Sequence, residues 1–238
     1  MFGTPADGDA GPLLLLTGVI ILSGMLDIAI VPELRGSWLD ELASAAPAPG
    51  GGAAAAVLAA IGAALVAMVC HLTIGKPRYA EHDELMRAAL ATAEELRARA
   101  VGLAGQDAVA FSEVSQAYKL PGHDKAAKAA AIQVALAGAA GVPMRTAALA
   151  AEVIGLAGRI LGGANVNVIS DVAVAASAAR AALDAAAVNV EVNVAAMADE
   201  SRQVALRAEL AHHLRAGPVA DSIVAAVRER ISPAEADP

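Results

Sequence analysis

Residues 53 to 74 read AAAAVLAAIGAALVAMVCHLTI, a run without one Asp, Glu, Lys or Arg, entered directly from Ala46-Pro47-Ala48-Pro49-Gly50-Gly51-Gly52. A helix that is apolar on every side must hide every side, in a bilayer or in the middle of a protein. The dominance of Ala and Gly, with Cys70 and His71 near the end, favours a central helix buried among other helices. The Pro-Gly stretch before it predicts a tight turn at a helix start. There the free N–H groups of the first turn are weakly positive, and glycine lets another group come close. Such a turn suits a bound carboxylate; it equally suits plain punctuation before a core helix.

The rest of the chain points the same way. Of its 238 residues 57% are hydrophobic but only 2% aromatic, and alanine supplies much of the excess, so the mean hydropathy of +0.56 reflects small side chains. Alanine is the best helix former, and no long segment alternates or concentrates Val, Ile and Thr as strands do. The reading is all-α: a single antiparallel bundle of long, Ala-rich helices. A formal charge of −8 and a pI near 5.1 exclude a general nucleic-acid binder, which needs a basic face. The single cysteine, Cys70, excludes an intramolecular disulfide and suits a reducing, cytoplasmic setting as a buried structural thiol. No Cys/His spacing of a zinc site is present, so no metal is expected.

Residues 13 to 31, LLLLTGVIILSGMLDIAIV, resemble a membrane span or signal core in length alone. No Lys or Arg precedes them, Asp7 and Asp9 lie upstream, and Asp27 interrupts them. Residues 1–31 are therefore read as an apolar extension, with Met25 an equally good start, residues 32–231 as one helical domain, and residues 232–238 as a flexible tail. Within the domain helices are predicted over 37–45, 51–74, 79–104, 107–119, 123–140, 143–161, 167–213 with a break allowed inside, and 219–231. Gly75, Pro77, Pro121-Gly122, Gly141, Pro143 and Gly162-Gly163 are the punctuation.

Several residues could carry chemistry. Asn167 and Asp171 are four apart and share a helical face, to which Asn189 and Asn193 return at 100° per residue, across a stripe of alanines. That face could border a cleft or a subunit interface; equally, Asn165 and Ser170 could cap a helix whose dipole Asp171 complements. Asp107 heads a stripe continued by Phe111, Val114 and Tyr118, either as a first-turn cap above ordinary core or as a pocket wall with two rings beside it. Lys76, Arg78 and Lys119 stand at predicted helix ends, where they either satisfy free carbonyls or anchor carboxylates. His71, His82, His123, His212 and His213 show no constellation and are left out.

Taken in order, Pro49-Gly50-Gly51-Gly52, Gly62 to Val69, Leu72-Thr73-Ile74-Gly75-Lys76-Pro77-Arg78-Tyr79-Ala80, Asp107 to Phe111, Ala117-Tyr118-Lys119-Leu120-Pro121 and Asn165-Val166-Asn167-Val168-Ile169-Ser170-Asp171 resemble the formiminotetrahydrofolate cyclodeaminase and methenyltetrahydrofolate cyclohydrolase family. The resemblance covers about residues 37 to 200. It departs from the family pattern at Val166 and Val168, where Pro and Ala are common, and at Gly122, where a basic residue is expected.

The resemblance implies an all-helical folate one-carbon enzyme, usually dimeric, that binds the pterin in a cleft near the subunit interface. Its substrate would be a tetrahydrofolate derivative, with no cofactor beyond it, no nucleic-acid partner and no membrane. It also implies roles: Asp171 first and Asp107 second for proton transfer or cation stabilisation, Lys76, Arg78 and Lys119 for the carboxylates of the glutamate tail, and Tyr79, Asn165, Asn167 and Ser170, with Gly51 and Gly52, for orienting the substrate. Cyclohydrolysis is favoured over cyclodeamination because no formiminotransferase domain accompanies the sequence. The alternatives are a non-catalytic helical folate-binding or assembly module on the same scaffold, and an integral membrane protein using residues 13–31 and 53–74.

Overall fold

The computed structural model describes residues 36–232, so the extension over 1–31 lies outside the described residues, as does the tail beyond Ser232. Every element among them is helical: α1 (Gly36–Leu42), α2 (Gly51–His71), a 3-10 turn (Pro77–His82), α3 (Asp83–Lys119), α4 (Lys125–Ile160), a second 3-10 turn (Val166–Val168), α5 (Ile169–Ala195), α6 (Glu200–Leu214) and α7 (Gly217–Ile231).

The bundle is built around α2, which packs against α3, α4 and α5. The direction of each neighbour follows from contacts at both ends. Gly51 lies beside Asn189 while Leu72 is bonded to Asn165, so α5 runs antiparallel to α2. The Gly75 N–H donates to Asp83 at one end and the Ala53 N–H to Asp107 at the other, so α3 does the same. The core between them is mostly alanine, filled out by Met86, Leu96, Leu149, Ile154, Leu156, Ile160 and Leu183. Small side chains bring the axes together: a Cβ on Gly62 would lie 3.0 Å from the Ala175 carbonyl oxygen. Such close packing offsets the modest apolar area that each alanine buries.

Two predicted breaks are absent. α3 runs unbroken for 37 residues through Gly102 and Gly105, and α4 for 36 residues through Pro143. Pro143 lacks the N–H that would reach the Ala139 carbonyl, a loss of about 3 kcal/mol in an isolated helix. It is buried nonetheless, and the packing of both halves of α4 against α3 and α5 outweighs the missing bond. The long helix expected over 167–213 does break, at residues 196–199, where the Asp199 carboxylate caps α6 by accepting the Arg202 N–H at 3.0 Å.

By length and composition α2, α4 and the segment Val166–Ala195 could each cross a membrane. More than half of the most apolar stretch of α2 is covered by neighbouring helices, in keeping with a central buried helix. Cys70 is fully buried there, its thiol pushed up to about 11 by burial, and is inert at neutral pH.

Candidate active site

A cleft of about 470 Å³ opens where the N-terminus of α2 meets α3, α4 and the last turns of α5. Gly50, Gly51 and Gly52 form one wall, and Asp107, Phe111, Val114 and Tyr118 of α3 a second. Asn189, Val192 and Asn193 of α5 form a third. The spacing of four, three and four read from Asp107 to Tyr118 does put these side chains in one groove. Phe111 and Tyr118 are about half exposed, which leaves ring faces free for a flat ligand.

Asp107 sits at the centre. It does not head its own helix, as the sequence suggested, because α3 begins at Asp83. Instead it caps a different one: its Oδ2 accepts the Ala53 N–H, at 3.0 Å, in the first turn of α2. Gly50, the N-cap of α2, has no side chain to do this, and the carboxylate complements the positive helix end. The fit requires glycine at 52, since a Cβ there would overlap the carboxylate and lie 2.8 Å from Oδ2. Burial raises the Asp107 pKa above its ordinary 3.8, and the Ala53 hydrogen bond only partly opposes that. The protein thus fills the anion position of the Pro-Gly turn with its own carboxylate. A carboxylate ligand is disfavoured there, and a cationic or proton-donating group is favoured.

Asn189 and Asn193, noted in the sequence for their helical face but given no role, belong to this cleft. Each amide donates back along α5, Asn189 to the Ala185 carbonyl and Asn193 to the Asn189 carbonyl, both at 2.8 Å. Those bonds fix the side chains and leave each Oδ1 as an acceptor. The face periodicity was the signal that could have found them.

Apart from Lys119, the remaining predicted residues gather at the other end of α2 and α5. Asp171 lies 18 positions before Asn189 on one straight helix, about 27 Å away at 1.5 Å per residue. Asn165 is 2% exposed, and its side chain is engaged in the fold. Its Nδ2 donates to the Leu72 carbonyl at 2.9 Å, and its Oδ1 accepts the Asn167 N–H at 3.1 Å. The Asn165 N–H in turn donates to the buried Thr73 hydroxyl at 3.1 Å. Tyr79 accepts the Val166 N–H at 3.1 Å, with the Arg78 guanidinium 5.7 Å from its ring centre. Arg78 and Tyr79 line a second, smaller hollow of about 260 Å³ with Glu81, His82 and Arg230. Lys76 is exposed beside them, Asn167 and Ser170 are exposed, and Asp171 is half-buried in the first turn of α5. Lys119, the last residue of α3, is exposed one position beyond the cleft-lining Tyr118. Within one chain, then, Gly51, Gly52 and Asp107 come together, whereas Asp171 and its neighbours form a separate group.

Comparison with known proteins places this architecture. The family model described as formiminotransferase-cyclodeaminase matches residues 35–212. The chain belongs to that family. It is 46% identical over 168 residues to the methenyltetrahydrofolate cyclohydrolase of Methylorubrum extorquens, covering 69% of this chain and 81% of that one. It is 32% identical over 171 residues to the formimidoyltransferase-cyclodeaminase of Mus musculus, covering 71% of this chain but only 31% of that longer protein. Among solved structures, the formiminotetrahydrofolate cyclodeaminase of Thermotoga maritima superposes with a TM-score of 0.76 at 28% identity, covering 83% of this chain and 96% of that one. The all-helical family fold expected from the ordered sequence blocks is therefore the observed one. Among the described residues no group of three His, Cys, Asp or Glu side chains is placed to hold a metal ion.

Proposed function

We propose that this chain is a methenyltetrahydrofolate cyclohydrolase in which Asp107 moves the proton. The observation that carries the reading is a half-buried carboxylate with a raised pKa, at a glycine-walled helix start beside two exposed rings, in a chain 46% identical to a cyclohydrolase over most of that protein's length.

The substrate's reactive carbon is shared between two folate nitrogens and carries a positive charge, which an adjacent carboxylate stabilises. Water adds to that carbon as Asp107 accepts one of its protons, giving a neutral tetrahedral adduct. The bond from this carbon to one ring nitrogen then breaks, that nitrogen gains a proton, and the formyl compound leaves. One water is consumed and one proton released. Phe111 and Tyr118 offer faces for the pterin, and Asn189 and Asn193 offer acceptors for its N–H edge. No cofactor beyond the folate takes part. Asp107 takes the leading role that the sequence assigned to Asp171, which is too distant in the same chain. The working unit is a homodimer.

The test is the loss of near-ultraviolet absorbance of methenyltetrahydrofolate with purified protein and with Asp107→Asn. Loss faster than buffer that the variant abolishes supports the assignment; a variant as fast as wild type removes it. The likeness to the Thermotoga maritima cyclodeaminase favours a second reaction at the same cleft, ring closure of formiminotetrahydrofolate with loss of ammonia. Ammonia release without absorbance loss would replace the first reading by the second.

A further inference from the structure

We propose that Gln133 of α4 is a positioning residue for the Asp107 cleft: it clasps the end of α5, holds the wall that carries Asn189 and Asn193, and so sets how tightly substrate is bound. The proposal rests on the folate reading above for the substrate, though not for the clasp itself.

The two sides of the cleft are fixed by different parts of the chain. Asp107 is held by α2, through the Ala53 N–H. The opposite wall, Asn189, Val192, Asn193 and Ala196, belongs to the end of α5. The buried side of that helix is largely alanine: Ala175, Ala176, Ala179, Ala182, Ala186 and Ala187. One-carbon side chains make low ridges that interlock weakly with a neighbouring helix, so rotation and sliding of α5 meet little resistance. A polar tie has to fix its end.

Gln133 supplies that tie with both atoms of its amide. Its Oε1 accepts the Ala198 N–H at 2.7 Å, and its Nε2 donates to the Ala196 carbonyl at the longer distance of 3.5 Å. Among the described residues no other hydrogen bond joins α4 to α5 or to the connection over 196–199. Ala196 lines the cleft, as does Leu136, three residues after Gln133 on α4, so the clasp stands at the edge of the cleft itself. Gln203 of α6 also grips the connection, donating to the Met197 carbonyl at 2.7 Å, but it ties α6 to the end of α5 and not to α4. Losing the Gln133 clasp therefore frees the Asn189 and Asn193 wall and leaves Asp107 in place. Hold on the substrate weakens, while proton transfer in the seated complex is kept.

Steady-state kinetics with methenyltetrahydrofolate, and hydrogen exchange without ligand, test this. Gln133→Leu and Gln133→Ala should each raise KM about 10-fold with kcat within about two-fold of wild type, and should leave the pH dependence set by Asp107 where it is. Gln133→Glu keeps the acceptor for Ala198, and its charge meets Asp199 and Arg202, one of each sign, in the neighbouring hollow. It should restore KM to within about two-fold of wild type. Gln203→Leu, which loosens the connection without touching α4, should leave KM unchanged. In the unliganded protein the amides of residues 193–198 should exchange faster in Gln133→Leu than in wild type. An unmoved KM, a kcat lowered as far as KM is raised, an equal rise of KM in Gln203→Leu, a Gln133→Glu as impaired as Gln133→Leu, or unchanged exchange would each overturn the proposal. The exchange measurement needs no folate: wild type that turns over no folate condemns the proposed reaction, and exchange then decides the clasp by itself.

Discussion

At the scale of single residues the proposed chemistry turns on Asp107 and on the glycine that admits it. A carboxylate that loses hydration and keeps one backbone donor binds its proton more tightly in the folded protein than in the unfolded one. The folded state therefore holds more protons just above 3.8, so Asp107's contribution to stability falls as pH rises through its raised pKa and is fully unfavourable above it. Asp107→Asn should remove that dependence while keeping the fold. Thermal melts of the two proteins should thus diverge in the variant's favour on going from acid to neutral pH, even as turnover drops by about 10²–10⁴-fold. The activity of the wild type should fall as pH drops through the same raised pKa, because the base is then protonated. Gly52→Ala forces a methyl group into the carboxylate; a loss of about 1–3 kcal/mol in denaturant melts is expected, together with most of the activity. Gly51→Ala meets only ordinary contact with Asn189, 3.6 Å from Nδ2, and should melt within about 1 kcal/mol of wild type.

Among the helices the decisive feature is how α2 is held at both ends. Its start is capped by Asp107 from α3, and its end is tied to the start of α5 through Leu72, Thr73 and Asn165. Asn165→Ala leaves the Leu72 carbonyl and the Asn167 N–H without their partner at a part-buried junction and opens a gap where Asn165 itself is buried. A cost of about 1–3 kcal/mol is expected. In calorimetry that should lower Tm by about 2–4 °C for each kcal/mol in a protein of this size. Thr73→Val should behave similarly, since the hydroxyl both donates to Val69 and accepts from Asn165. The absence of breaks at Gly105 and Pro143 belongs to the same scale. Glycine and proline argue for an end only when nothing else holds the helix, and here both helices are flanked along their length.

For the molecule as a whole the bundle has the Asp107 cleft at one end of α2, a group of mixed charge with Arg78, Glu81 and Asp171 at the other, and an apolar face between them. A ligand that fits the cleft should stabilise the entire cooperative unit. Saturation at 100 times Kd adds about 2.7 kcal/mol by mass action, and product 10-formyltetrahydrofolate should raise Tm accordingly in a thermal-shift titration. An unchanged Tm at saturating folate would count against the cleft as its binding place.

Much of this was legible in the residues alone. The helical class, the central place of residues 53–74 and the stripe from Asp107 to Tyr118 follow from propensity and from a 3.6-residue period, which are local properties that every peptide unit carries. So does the family, whose ordered blocks survive as short strings. What tertiary structure decided was which distant groups meet. The chain order sets Asn167 and Asp171 beside each other, but only antiparallel packing brings Gly52, Asp107 and Asn189 into one cleft, from positions far apart in sequence. Asp107 was readable as a cap, yet the helix it caps is α2, because a side chain's partner depends on the path of the whole backbone and not on its own neighbours. Asn165, which the motif offered for orienting substrate, is engaged in holding two helix ends, an arrangement set by burial, which no spacing in a sequence encodes.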